Sequence, residues 1–196
     1  MWRLLGAVDL RAAGRGMIFD AIRPYVSSAF TVKYATEAWE KRGAAALRRQ
    51  VFCDEQGLFA GDDRDAIDAV ATPIVALSSY TVAPDAVVGT VRIHEAEPGT
   101  WWGSRLAVAA DHRRVGALGA ALIRLAVSSA HARGCTTFLA HVQSQNALLF
   151  QRLHWDIVDT VELHGLPHMR MQANLAFYPP FVTPDVGFLA LARKAA

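Results

Sequence analysis

The chain has 196 residues, 53% of them hydrophobic and 19% charged, enough for one domain with a full core and too apolar for disorder over most of its length. Its net charge is +2 with the histidines neutral and no Lys/Arg-rich run stands out, so neither nucleic acid nor an anionic membrane is an expected partner. Apolar stretches are broken by Arg, Asp or Pro before the ~18 residues a membrane helix needs. Met1–Gly16 has too short an apolar run for an export signal, and Met17 is an alternative start. With Cys53 and Cys135 as the only cysteines, reduced thiols and a cytoplasmic location are expected.

In chain order, Phe30–Ala35 alternates as a strand. Thr36, Glu37 and Trp39 mark a helix start, and the helix extends to about Glu55, although Gly43 weakens it. Gly57–Asp68 is polar and turn-rich. Pro73–Thr81 and Val87–Glu95 read as a hairpin with its turn at Pro84-Asp85, and Trp102–Val108 as another strand. After a loop from Ala109 to Gly116, Leu118, Leu122, Leu125, Ala126 and Ser129 keep helical spacing through Ala117–Arg133. Gly134 stands where a helix ends. Cys135–Val142 is a strand and Gln145–Leu153 a short helix. Asp156–Leu163 and His168–Leu175 are strands around His164–Pro167. The residues from Pro179 carry no assigned element. A strand–helix–strand middle flanked by antiparallel hairpins implies an α/β (α+β) domain on a mixed sheet.

The most informative stretch is Arg105–Leu122, where a buried strand runs into a loop with Arg113, Arg114, Gly116 and Gly119, and a long helix follows at once. A helix N-terminus carries unpaired amides and a partial positive charge, so it binds anions. Small residues let a pyrophosphate approach the backbone, and arginines add charge-assisted contacts. An ordinary strand-to-helix turn with solvated arginines is the competing reading. There is no Gly-Lys-Ser/Thr, which excludes a P-loop, and no Gly-x-Gly-x-x-Gly for a Rossmann site. The histidines and cysteines show no metal-ligand spacing, and Cys53 has no adjacent histidine to activate it.

Arg114-Val-Gly-Ala-Leu-Gly119 resembles motif A of the GNAT acyltransferases, Arg/Gln-x-x-Gly-x-Gly/Ala, with Ala117 in the first glycine slot and Leu118 and Leu122 at the usual aliphatic positions. The register from Arg113 fits less well. Val142–Trp155 resembles motif B, a strand followed by an Asn, here Asn146, and a short helix. The resemblance implies a mixed, mostly antiparallel sheet of about seven strands with helices on both faces, spanning 30–178, between an extension at 1–29 and a tail at 179–196. It implies acetyl-CoA or another acyl-CoA as co-substrate and no metal. The cofactor would enter where the strands of Leu106 and Phe138 splay apart. It would lie on Leu106, Ala107, Val108, Arg113, Arg114, Val115, Gly116, Ala117, Leu118, Gly119, Asn146 and Phe150, with the Leu106–Val108 backbone holding the thioester carbonyl. Phe150 falls where many members carry a tyrosine that protonates the leaving thiolate, and phenylalanine has no proton to give. His154, water or unassisted departure would replace it.

On the acceptor side, Val51-Phe52-x-x-Glu55-Gln56, then Asp65-x-x-Asp68, then Gly165-Leu-Pro-His168-x-x-Met171 resemble the signature of a GNAT subgroup often encoded near nitrilase-like hydrolases. The match then runs from about 30 to 175. The cluster Glu55, Asp62, Asp63, Asp65, Asp68 suits a cationic amine of a small molecule. Glu55 and His168 are the candidate catalytic bases, since an attacking amine must shed a proton. Arg48, Phe52, Asp65, Asp68, Arg92 and Arg105 are also spaced like the charged frame of acyl-homoserine lactone synthases, in which the donor is a carrier protein. The glutamate usual three residues before the last arginine is Trp102 here. Asp65, Asp68, Arg92 and Trp102 are therefore the candidate acceptor-binding residues, with mutual pairing of the charges as the structural alternative. Trp101 and Trp102 would wall the pocket or serve as core or dimer-contact aromatics, which leaves a homodimer open. A carrier-protein-dependent amide synthase and a non-catalytic acyl-CoA-binding module are the rival functions.

Overall fold

The computed structural model describes residues 29–80, 83–115 and 118–191. The N-terminal extension, the alternative start at Met17, and the cofactor residues Gly116 and Ala117 lie outside them. The elements are β1 (Ala29–Tyr34), α1 (Ala38–Arg49), β2 (Thr72–Tyr80), β3 (Ala83–Glu97), β4 (Thr100–Val108), α2 (Leu118–Ala132), β5 (Thr137–Gln143), α3 (Ala147–Arg152), β6 (Trp155–Leu163), β7 (Leu166–Ala173) and β8 (Phe188–Leu191). The strands form one sheet in the order β6-β7-β5-β4-β3-β2-β1-β8. All neighbouring pairs are antiparallel except β4 with β5.

Alternation along β2 assigns the two faces. Ile74 and Ala76 join the core under α2, while Val75 and Leu77 pack with Ala44 of α1. α1 therefore covers one face and α2 the other. Glu40 closes the start of α1 by accepting from the amides of Thr36 and Glu37, and Lys33 holds its carboxylate at 2.7 Å. Gly43, which weakened the helix on propensity, sits where a Cβ would come within 2.6 Å of Val87 Cγ2. Close packing on β3 outweighs a propensity cost of ~1 kcal/mol. The chain then continues without a break into a π-helical turn, Gln50–Glu55. α2 buries Leu118, Leu122, Leu125 and Val127 almost completely, each contributing roughly 1.5–3 kcal/mol. It ends at Gly134, whose φ of 87° is the left-handed cap a glycine adopts freely.

Two expectations need adjustment. β2 runs to Tyr80 and β3 begins at Ala83, so Pro84 and Asp85 lie inside a strand rather than at its turn. The stretch after Pro179 supplies an eighth strand, antiparallel to β1, so the sheet continues beyond residue 178. A four-residue strand at the edge of the sheet among the described residues carries little periodic signal.

Candidate active site

β4 and β5 pair in parallel only from Thr100 with Thr137 to Gly103 with Ala140. β7, on the other edge of β5, pairs with it from Leu139 with Gln172 to Gln143 with His168, so beyond Ala140 β5 keeps β7 and loses β4. Ser104–Val108 thus runs on without β5 beside it, and the sheet opens. Phe138 belongs to the paired part of β5 and Leu106 lies past the pairing on β4, so these two strands do part, beyond Gly103 and Ala140. On the opposite side of β4, Arg92 pairs with Ser104 and Thr90 with Ala107, leaving Arg105 and Leu106 opposite Val91 alone. This is a β-bulge, and Arg105 sits in it at φ 56°. A non-glycine residue held there costs on the order of 1–3 kcal/mol.

The compensation is an ion network on the α1 face. Asp63, 1% exposed, accepts from Arg48 Nε at 2.8 Å and Arg105 Nε at 2.9 Å. Arg92 grips Asp65 bidentately at 2.8 and 2.6 Å and reaches Asp68 at 2.7 Å. Arg48 also binds Asp68, and the Arg105 guanidinium lies 4.4 Å from the Phe59 ring centroid. Arg92's hydrogen bonds hold the Asp65 carboxyl below its usual value against the opposing effect of burial. Burial alone would raise Asp68, but bonds from Arg48, the Asp65 amide and Arg92 outweigh it and hold that carboxyl well below the ordinary range. The acidic cluster is therefore not free negative charge waiting for a cationic amine. Its members at 63, 65 and 68 neutralise three arginines that lie in or beside the sheet, and Asp65 and Asp68 also cap the short turn Ala66–Ala69.

Two cavities meet at the open sheet. One, of about 380 Å³, is lined by Leu106, Ala107, Val108, Arg113, Leu118, Gly119, Asn146 and Phe150, which the sequence nominated for the cofactor. His112 also lines it, with Nδ1 2.6 Å from Asp111. A Cβ on Gly119 would meet nothing within 4 Å, so the first turn of α2 faces open space. Arg114 and Val115 follow Arg113 in the helical turn Ala110–Val115. Arg113 donates from Nε to Val108 O at 2.9 Å and pairs with Glu55. Glu55 lines neither cavity. The carboxylate named as a candidate base is thus paired with Arg113 of the loop nominated for the cofactor.

The second cavity, about 490 Å³, contains Asp65, Arg92, Trp102 and His168 but not Asp68. His168 is buried, and its Nδ1 lies 2.9 Å from Leu166 O. A carbonyl only accepts, so Nδ1 carries the proton and Nε2 is the basic nitrogen. Three histidines absent from the candidate set join it: His94, His141 and His164. Burial, reinforced by Arg92, pushes the His94 imidazole below its usual value, and burial with His168 and Arg170 does the same for His141. Both are held neutral near pH 7. His141 packs on Trp102 at 4.8 Å between centroids. A signal for His141 existed. Phe138, Ala140 and Val142 alternate inward along β5, which puts 141 on the opposite face. His154, by contrast, stacks on Phe177 at 3.7 Å and lines neither cavity. Phe150 lies edge-on to Trp155 at 5.1 Å. Gln56, Leu106, Gln143, Asn146 and Phe150 line both cavities, and Gln143 donates to Gln56 across 3.3 Å at this junction.

A parallel strand pair parts beside a helix N-terminus, and a second chamber opens onto the gap. The family model for the GNAT acetyltransferases matches residues 33–154, more than half of the chain, and the chain belongs to that family. No curated protein sequence matches it. Among solved structures, a putative N-acetyltransferase from Lactobacillus plantarum is 20% identical with a TM-score of 0.66, covering 74% of this chain and 97% of its own. Escherichia coli ElaA is 19% identical with a TM-score of 0.62, covering 74% and 98%. FeeM, an N-acyl amino acid synthase from uncultured soil microbes, is 13% identical with a TM-score of 0.58, covering 74% and 90%. At these identities the likeness speaks for the fold.

Proposed function

We propose that the protein moves an acyl group, acetyl or another short acyl, from acyl-CoA to the primary amine of a small molecule by direct attack. The observation that carries this reading is the junction of two cavities at the open end of the β4–β5 ladder. The smaller one suits a CoA pyrophosphate at the start of α2, where amides and the helix dipole favour an anion. The larger one suits an acceptor, and the reacting carbonyl would sit between them, on the backbone of Leu106–Val108.

The amine nitrogen attacks the thioester carbonyl, the C–S bond breaks, and the thiolate leaves. Nε2 of His168 takes the proton of the attacking amine. His168 is favoured over Glu55 because it lines the acceptor cavity, whereas Glu55 is occupied by Arg113. Phe150 supplies no proton, but a thiol pKa near ~8.5 lets the thiolate depart unassisted. The free thiols at Cys53 and Cys135 support the cytoplasmic expectation.

The test is thiol release from acetyl-CoA and short acyl-CoAs across a panel of primary amines. Amine-dependent release is expected. Tight CoA binding with no release for any amine would refute catalysis and leave a binding module.

A further inference from the structure

The larger cavity does not stay on one side of the sheet. Arg92, Trp102, Ser104, Arg105, His141 and His168 line its half on the α1 face. Its other half passes through the gap beyond Gly103 and Ala140 and ends on the α2 face, against Ile123, Ala126, Val127, Phe138, Phe150 and Trp155. The two halves differ in chemistry. The first holds histidines and the ion network. The side chains named for the second are apolar, and Trp155 turns its only polar side-chain atom to Tyr178 Oη at 3.0 Å. Phe138 and Phe150 both stand edge-on to Trp155, at 5.8 and 5.1 Å, so aromatic rings line this half. Transfer of an acetyl group, with one methyl beyond its carbonyl, makes no use of such a chamber.

The mouth of the apolar half is the rim shared with the cofactor cavity, at Leu106, Asn146 and Phe150. A chain attached to a thioester carbonyl at that rim enters the chamber directly, while an amine approaches from the α1 face. We propose that the apolar half is an acyl-chain pocket and that the donor class is a medium-chain acyl thioester. This rests on the proposed transfer from acyl-CoA to an amine and replaces its acetyl or short acyl group with a medium-length chain. The whole cavity measures about 490 Å³. Counting about half of that and ~30 Å³ per group, the space of one water, leaves room for about eight methylenes. Phe150 then has a positive role as an apolar wall of the pocket.

The experiment is calorimetric titration of the full chain with CoA and acyl-CoAs of two to fourteen carbons, below their micelle concentrations, which needs no acceptor. Each buried methylene strengthens binding about fourfold. With part of that offset by ordering of the chain, octanoyl-CoA is expected to bind at least ~30-fold tighter than acetyl-CoA, with a plateau at longer chains. Ala126→Phe fills the chamber and is expected to bring the octanoyl-to-acetyl ratio to within about threefold. Equal affinity for acetyl-CoA and octanoyl-CoA in the wild type overturns the pocket and leaves the acyltransferase reading standing. A preference for octanoyl-CoA that survives Ala126→Phe also overturns it. Failure to bind CoA in any form overturns both. The wild-type chain-length series decides the matter even where the variant does not fold.

Discussion

Gly119→Trp is the sharpest test of the cofactor cavity. The first turn of α2 faces that cavity, and among the described residues a Cβ on Gly119 meets nothing within 4 Å outside its own helix and chain neighbours. An indole there occupies the space in front of the helix amides without displacing any core residue. The fold is not expected to suffer. Removing a glycine from a helix gains up to ~1 kcal/mol, about 2–4 °C in Tm for a chain of this size. Ligand binding loses the phosphate's place. A charge-assisted hydrogen bond contributes ~1.5–3 kcal/mol, and the helix N-terminus adds ~0.3–1. Loss of one or two such bonds gives roughly 3 kcal/mol, or on the order of 100-fold in Kd. Calorimetry with CoA measures the affinity, and a melting curve verifies that the variant is folded. A folded Gly119→Trp protein that binds CoA as tightly as wild type refutes the pyrophosphate assignment. Gly119→Ala, which projects only a methyl, is expected to keep most of the affinity.

Other expectations concern the base, the ion network and pH. Glu55→Gln releases Arg113 from a partly exposed pair worth ~0–1 kcal/mol and is expected to change kcat less than about fivefold, whereas His168→Ala loses about 10²–10⁴-fold. The reverse order in steady-state kinetics would restore Glu55 as the base. Asp63→Asn strips a buried counter-ion from Arg48 and Arg105 and is expected to cost about 3–5 kcal/mol, read as a fall in Tm of roughly 10 °C. A shift under about 2 °C would show that the network does not secure the bulge. Stability is expected to fall with acid in two stages. His94 and His141 have depressed folded pKa values, so below ~6.5 the unfolded chain binds protons that the folded chain resists. Asp65 and Asp68 are also depressed, and their contribution is complete above ~3.9 and lost as pH falls towards the folded values. Denaturant titrations between pH 8 and pH 3 that show no decline would contradict both.

Local chemistry was legible in the chain itself. Helical spacing from Leu118 to Ser129, the cap at Gly134 and the alternation of β1, β2 and β5 follow from neighbours three, four or two residues apart. The loop between Val108 and Gly119 is likewise short-range, and Val108, His112, Arg113, Leu118 and Gly119 line one cavity, whereas Arg114 and Val115 do not. Charge pairing was not legible. Glu55 and Arg113 are 58 residues apart, and Asp63 and Arg105 are 42 apart. From the sequence alone Asp63, Asp65 and Asp68 were equally a cation site and a set of counter-ions. Only the register that lays Arg92 and Arg105 beside them makes them counter-ions. The same holds for the cavity. His94, His141, His164 and His168 come from β3, β5 and the β6–β7 hairpin, and no spacing rule joins them. Sequence determined which elements form, because propensity and periodicity act within a turn or a strand. Tertiary structure decided where the sheet opens, because a ladder's end and a bulge such as that at Arg105 are set by long-range pairing of three strands.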